Sequence, residues 1–203
     1  IARLLPGDPV ALAAGPNATP AEIAEYGRQF GLDKPLWTQY WTYLTGLLQG
    51  DFGVSLFTHR PVREDLIAYL PATLELVLAA MALAILIGIP AGLWAAVRVN
   101  AWPDYLTRVL ALGSISMPRF FLGLVLQLLF AMWLGWLPLG GRFPITEDPP
   151  TLITGFLTID ALLAGNGHAF WVALQHLAMP ALAMSLSPLA TLLRMMRAST
   201  LEV

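Results

Sequence analysis

The sequence contains no cysteine. That excludes disulfides, thiolate metal sites and a cysteine nucleophile, and leaves the compartment open. Charge is scarce too. Asp, Glu, Lys and Arg make up 12% of the 203 residues, against about 25% in an ordinary soluble domain. The eleven Lys and Arg are scattered, so no basic patch forms and no nucleic-acid partner is expected. No GxxxxGK[ST] loop is present to cradle a nucleotide, and neither HExxH nor GxSxG occurs. His176 has no second histidine or carboxylate at ligand spacing. The expectation is a chain with no catalytic, cofactor or metal site, and not an enzyme.

What is present is apolar residues, at 57%. A bilayer core of ~30 Å needs about 20 of them in a helix, and three segments qualify: residues 72–97, 106–137 and 169–193. The expected class is all-α: a polytopic helical membrane protein with three transmembrane helices and a small helical extracytoplasmic segment. Residues 1–71 are read as the end of a preceding span plus that outer segment, and residues 72–203 as the membrane domain. The apolar opening Ile1-Ala2-Arg3-Leu4-Leu5 and the abrupt end at Val203 suggest a fragment.

Orientation follows from the positive charges. Arg98 and Arg108 flank the first link, and Arg194 and Arg197 follow the third span. The second link holds Arg142 against Glu147, Asp148 and Asp160. Cytoplasmic loops carry the excess of Lys and Arg, which places the first link and the C-terminus inside and residues 7–71 outside. In that outer segment Thr19-Pro20-Ala21-Glu22 is a capping box with proline at the first helical position, and Gly31 can end the helix. A second helix runs from about Pro35 to Gln49, with Trp37, Trp41, Leu44 and Leu48 on one face, to pack on the spans or lie on the membrane. A third, short helix over 61–69 leads into the first span through Leu70-Pro71.

Within the spans, Ala80, Ala84, Gly88, Gly92 and Ala96 recur every four residues, a stripe of small side chains that lets a second helix approach closely. Arg119 lies inside the second span, where charge costs ~3 kcal/mol or more. Two readings stay open: a functional charge within the membrane, or a side chain reaching the headgroups. Gln127, Gln175 and His176 should face protein or water rather than lipid. Pro118, Pro180 and Pro188 should kink their helices. Glu75, near the outer interface, is expected to be solvated.

The order of short motifs carries a resemblance. Arg3-Leu4-Leu5-Pro6-Gly7-Asp8-Pro9 is followed by Gly31-Leu32-Asp33-Lys34-Pro35-Leu36 and by Gly50-Asp51-Phe52-Gly53-Val54-Ser55. Then come Leu70-Pro71-Ala72-Thr73-Leu74-Glu75-Leu76, Leu134-Gly135-Trp136-Leu137-Pro138, and His176-Leu177-Ala178-Met179-Pro180-Ala181-Leu182-Ala183. Arg194-Met195-Met196-Arg197-Ala198-Ser199-Thr200-Leu201-Glu202-Val203 closes the series. In this sequence and spacing the chain resembles the permease subunits of bacterial ABC importers for dipeptides, oligopeptides and nickel, the binding-protein-dependent transport inner-membrane components. The resemblance implies a multi-pass protein of the bacterial inner membrane that carries di- and oligopeptides by alternating access. Its alternatives are a nickel or other small-solute permease and an ATP-independent secondary transporter. It implies six spans in the full subunit, of which these would be the second to fourth. The implied partners are a second permease, two cytoplasmic ATP-binding subunits that hold the ATP, an extracytoplasmic solute-binding protein and the bilayer. The loop that docks on the ATPase should follow Val203. Arg119 departs from the family, which usually has a small polar residue after that proline.

Overall fold

The computed structural model describes residues 10, 18–29, 31, 33–55, 58 and 60–201. The motif at residues 3–9 and the end of a preceding span lie outside them, as do residues 202 and 203. Every named element among the described residues is helical, and strand pairing is limited to one isolated antiparallel bridge, Val54 with Pro61. The chain divides into two units, residues 1–70 and 71–203.

In the first unit, α1 is Pro20–Gln29. Its capping box forms: the Thr19 N–H donates to Glu22 Oε2 at 2.7 Å and the Glu22 N–H to Thr19 Oγ1 at 3.4 Å. These backbone and hydroxyl donors hold the Glu22 carboxyl below its ordinary pKa. Helix α2, Leu36–Leu48, is followed by Gly50 at φ +78°, a left-handed stop that glycine adopts without steric cost. Trp37, Trp41 and Leu48 are exposed.

Helix α3 is Val62–Val97, and the boundary between the units falls within it. The short separate helix expected over 61–69 is therefore not separate. Pro71 removes one donor, but the helix continues through it, as it does through Pro90. A helix buried in protein or lipid cannot hand freed backbone groups to water, so it keeps the rest of its ladder.

A turn at residues 98–101, with Asn100 at φ +60°, leads to α4, Trp102–Ser116. The rings of Trp94 and Trp102 meet edge to face across it at 4.9 Å. The single helix expected over 106–137 is not formed. Met117 and Pro118 are extended (ψ 132° and 137°) and separate α4 from α5, Arg119–Leu126. The proline ring disfavours helical backbone at the residue before it, so Pro118 breaks the helix instead of kinking it. From α5 the chain passes directly into a π-helix, Gln127–Trp133, and helical structure ends four residues earlier than expected.

The second link also holds a helix that no local pattern announces: α6, Leu157–Leu163. It is anchored by Asp160, which is fully buried and accepts the N–H groups of Ile153, Thr154 and Gly155 and the Thr154 hydroxyl at 2.7–3.2 Å. Burial raises the Asp160 pKa, but these donors outweigh it and hold the carboxyl below its ordinary value. Finally α7, Gly167–Leu201, runs unbroken through Pro180 and Pro188 and extends past the expected 169–193. Two helices, α3 and α7, are long and apolar enough to cross a membrane; Arg119–Trp133 is apolar but shorter.

Helices α3 and α7 lie parallel. Gly88 faces Leu189 and Leu192, and Gly92 faces Leu193 and Met196, so position rises together on both. The α4–α5 segment runs the other way along α7: Asp104 meets Arg197, while Gly123 and Gln127 lie by His176 and Met179.

Candidate functional site

The small-residue stripe forms the lower α3–α7 seam. Ala80, Ala84, Gly88, Gly92 and Ala96 are all buried. A methyl group on Gly92 would meet Met196 Cβ at 2.8 Å and the Leu193 carbonyl at 3.1 Å; on Gly88 it would meet Leu192 Cβ at 3.1 Å. The backbones approach to the limit that glycine allows. Ala84, Leu189 and Leu193 form the buried apolar cluster beside this contact.

At the charged end of the seam, Asp104 is fully buried in the first turn of α4, ahead of the apolar run. It accepts Arg197 Nε at 2.7 Å, Arg108 Nη2 at 2.8 Å and the Asn100 N–H at 3.0 Å. The Arg197 guanidinium and the Asn100 N–H, joined by Arg108 and opposed by burial, hold its carboxyl far below the usual range. One carboxylate thus ties the α3–α4 turn to the end of α7. In the sequence Arg108 and Arg197 act only as orientation signals, and Asp104 goes unnoticed. Its one local signal is the i,i+4 spacing to Arg108.

Toward the other end lie three cavities, two lined by both α3 and α7 and one by α5, the π-helix, a loop and α7. The first, about 260 Å³, is lined by Glu75, Arg142 and His176 among apolar side chains. Glu75 is not solvated, as its position suggested, but 7% exposed. The Thr158 N–H and hydroxyl donate to its Oε1 at 2.8 and 2.7 Å, and Arg142 pairs with its Oε2 at 2.9 Å. Arg142 also donates to the Gly155 carbonyl at 2.8 Å. Loop and α6 thereby close over α3.

The second cavity, about 420 Å³, brings together Gln127, His176 and Pro180. Gln127 Nε2 donates to the Leu139 carbonyl at 2.9 Å, and His176 Nδ1 lies 3.0 Å from the Gly140 carbonyl. A carbonyl only accepts, so Nδ1 carries the proton there. Two polar residues on different helices hold the same loop. Gln127 also starts the π-helix, a distortion frequent at functional sites. Gln175 is half-buried and lines none of these cavities.

The third cavity, about 590 Å³, lies between α3 and α7 beside the start of α5. Among the described residues Arg119 is the one charged residue lining it; Ser187, Pro188 and Thr191 line it with apolar side chains of α3. The break at Pro118 makes Arg119 the first residue of α5. No group of three or more metal-ligating side chains occurs among the described residues.

A family model for the N-terminal part of binding-protein-dependent transport system membrane components matches residues 2–77. The chain is 48% identical over 202 residues to the probable D,D-dipeptide transport system permease protein DdpB of Escherichia coli, covering 100% of this chain and 59% of that protein. It is 41% identical over 203 residues to the dipeptide transport system permease protein DppB of Alkalihalophilus pseudofirmus, covering 100% of this chain and 61% of the relative. Over 139 residues it is 48% identical to the glutathione transport system permease protein GsiC of Salmonella paratyphi A, which is 68% of this chain and 45% of that protein. The chain thus spans about 60% of the length of the first two relatives. With its two membrane-length helices and its likeness to these transport permeases along its whole length, the chain belongs to the binding-protein-dependent transport system permeases of the bacterial inner membrane.

Proposed function

We propose that this chain is part of a permease that carries small peptides into the cell, driven by ATP hydrolysis on partner subunits. The observation that carries the reading is one helix pair, α3 and α7, that is tightly sealed at one end and bordered toward the other by largely apolar cavities that a few polar side chains enter. Such a pair can act as a stiff lever while the cavities change shape, as alternating access requires.

Parallel α3 and α7 need a return crossing between them, and the antiparallel α4–α5–π segment supplies it. The break at Pro118 then sits inside a crossing, where irregular backbone is tolerated beside a cavity. This supports a three-crossing reading. Arg98, Arg108, Arg194 and Arg197 gather at one end, while Glu75, Glu147, Asp148 and Asp160 belong to the other. That distribution supports the Arg-rich end as cytoplasmic. Partners in this reading are a second permease, two ATP-binding subunits below α7 and a solute-binding protein outside. They follow from the family's dependence on a binding protein and from the lack of any phosphate loop in this chain.

The test is reconstitution of the full-length permease with these partners in liposomes, followed by uptake of labelled di- and tripeptides. ATP-dependent accumulation is expected, and Gly88→Leu should impair complex yield or uptake. No accumulation of any peptide by the unmodified transporter, with the binding protein loaded, would overturn the reading.

A further inference from the structure

Arg119 is exposed to the largest of the three cavities, and its guanidinium makes no hydrogen bond or ion pair with any described residue. Every other arginine of the second unit that enters a cavity or the Asp104 cluster is held by a carboxylate: Arg142 by Glu75, and Arg108 and Arg197 by Asp104. The depth of Arg119 argues against a headgroup contact. The cavity wall includes Ile85 and Ser187, about 18 Å along α3 from Val97 and about 15 Å along α7 from Arg197 at 1.5 Å per residue. A cation left unpaired at that depth is costly unless something else neutralises it.

The surroundings suit a carboxylate. Among the described residues the wall holds no acidic side chain to compete. The Ser187 hydroxyl lines the cavity and makes no hydrogen bond among the described residues, whereas Thr191 donates to the Ser187 carbonyl at 3.1 Å. A guanidinium and a free hydroxyl facing one space provide a bidentate fork and a further donor. The volume falls in the range of small-ligand sites, and the remaining wall, from Val77, Met81 and Ile85 among others, is apolar and adaptable enough for varied side chains.

We propose that Arg119 binds the C-terminal carboxylate of the peptide in transit, with Ser187 as a second donor. The inference rests on the peptide reading above and names the substrate group that this cavity recognises. Charge complementarity selects the occupant: a free peptide C-terminus is an anion, and a C-terminal amide is not.

The experiment uses the full-length permease assembled with its partner permease and ATP-binding subunits in nanodiscs. The binding protein is left out, so that its own selectivity does not enter. The complex is titrated with dialanine and with dialanine amide. Dialanine should bind at least about tenfold more tightly than the amide, the scale of a hydrogen bond to a charged group. Arg119→Gln should weaken dialanine alone and erase the difference, while Arg119→Lys should keep part of it. If Arg119→Gln does not assemble, Arg119→Lys carries the test, since it keeps the charge and loses the fork. Equal affinity for acid and amide in the unmodified complex overturns the assignment, as does no measurable binding or an undiminished preference in the variants. If ATP-driven peptide uptake persists in those cases, only the role of Arg119 falls. If the unmodified transporter takes up no peptide, both readings fall together.

Discussion

The two halves of the α3–α7 pair differ in what fills the space between the helices. From Ala84 to Ala96, small side chains bring the backbones close enough that even one methyl group is contested. From Glu75 to Ile85, the space is occupied by cavities and by polar side chains from three other segments. Close packing between the backbones holds the first half, capped at its end by the ion pairs of Asp104; ion pairs and hydrogen bonds to loops hold the second. Backbone contact is thus confined to one half while polar bonding occurs in both, so the contacts of each half can be broken separately.

The charged end of the sealed half should be the most sensitive to substitution. Asp104→Asn removes the carboxylate that two guanidiniums share and leaves both uncompensated beside a buried site. The thermal midpoint of the full-length complex should fall further than for any substitution in the glycine seam or the loop. Acid should mimic the change. Asp104 has a depressed folded-state pKa, so its contribution is complete above the ordinary carboxylate pKa of about 4 and is lost as pH falls below it. An unchanged midpoint in Asp104→Asn would show that the cluster is incidental.

Next comes a graded pair in the seam. Gly92→Ala must move Met196 Cβ or the Leu193 backbone, and overpacking of this kind costs about 1–3 kcal/mol. That exceeds the ~1 kcal/mol gained in helix propensity over glycine. Gly88→Ala meets a looser contact at 3.1 Å and should fall within about 1 kcal/mol of wild type, because the same propensity gain offsets a small adjustment. Equal stability of the two variants would remove the argument that the seam tightens toward Gly92.

The smallest effect belongs to the open half. Gln127→Leu loses one hydrogen bond, to the Leu139 carbonyl, worth about 0.5–1.5 kcal/mol net. His176 still holds the neighbouring Gly140 carbonyl, so the loop should stay in place and transport should continue. Hydrogen exchange at residues 139–141 reads the change directly: modestly faster exchange is expected. No change would show that His176 holds the loop alone.

Much of this arrangement was legible along the chain. The capping box at Thr19 and Glu22, the stop at Gly50 and the four-residue stripe from Ala80 to Ala96 are local patterns, set by hydrogen-bond reach, backbone sterics and helical pitch. Local rules also predicted that Pro118 would disturb the second apolar run. They did not distinguish a kink from a break, because that depends on whether Met117 can adopt extended backbone without losing its packing. At Pro71, Pro90, Pro180 and Pro188 the surroundings keep the preceding residue helical.

Residue type and spacing were enough to give the helical class, the apolar runs, the small-residue stripe and the family. Packing of the helices and loops paired Asp104 with Arg197 and Glu75 with Arg142 and Thr158. The same packing set Gln127 and His176 on one loop and left Arg119 facing a cavity without a partner among the described residues. Those partners lie far apart along the chain, and a charge shows in the sequence only as a charge. Whether it is buried, paired or open to a ligand is fixed when distant helices come to the same depth.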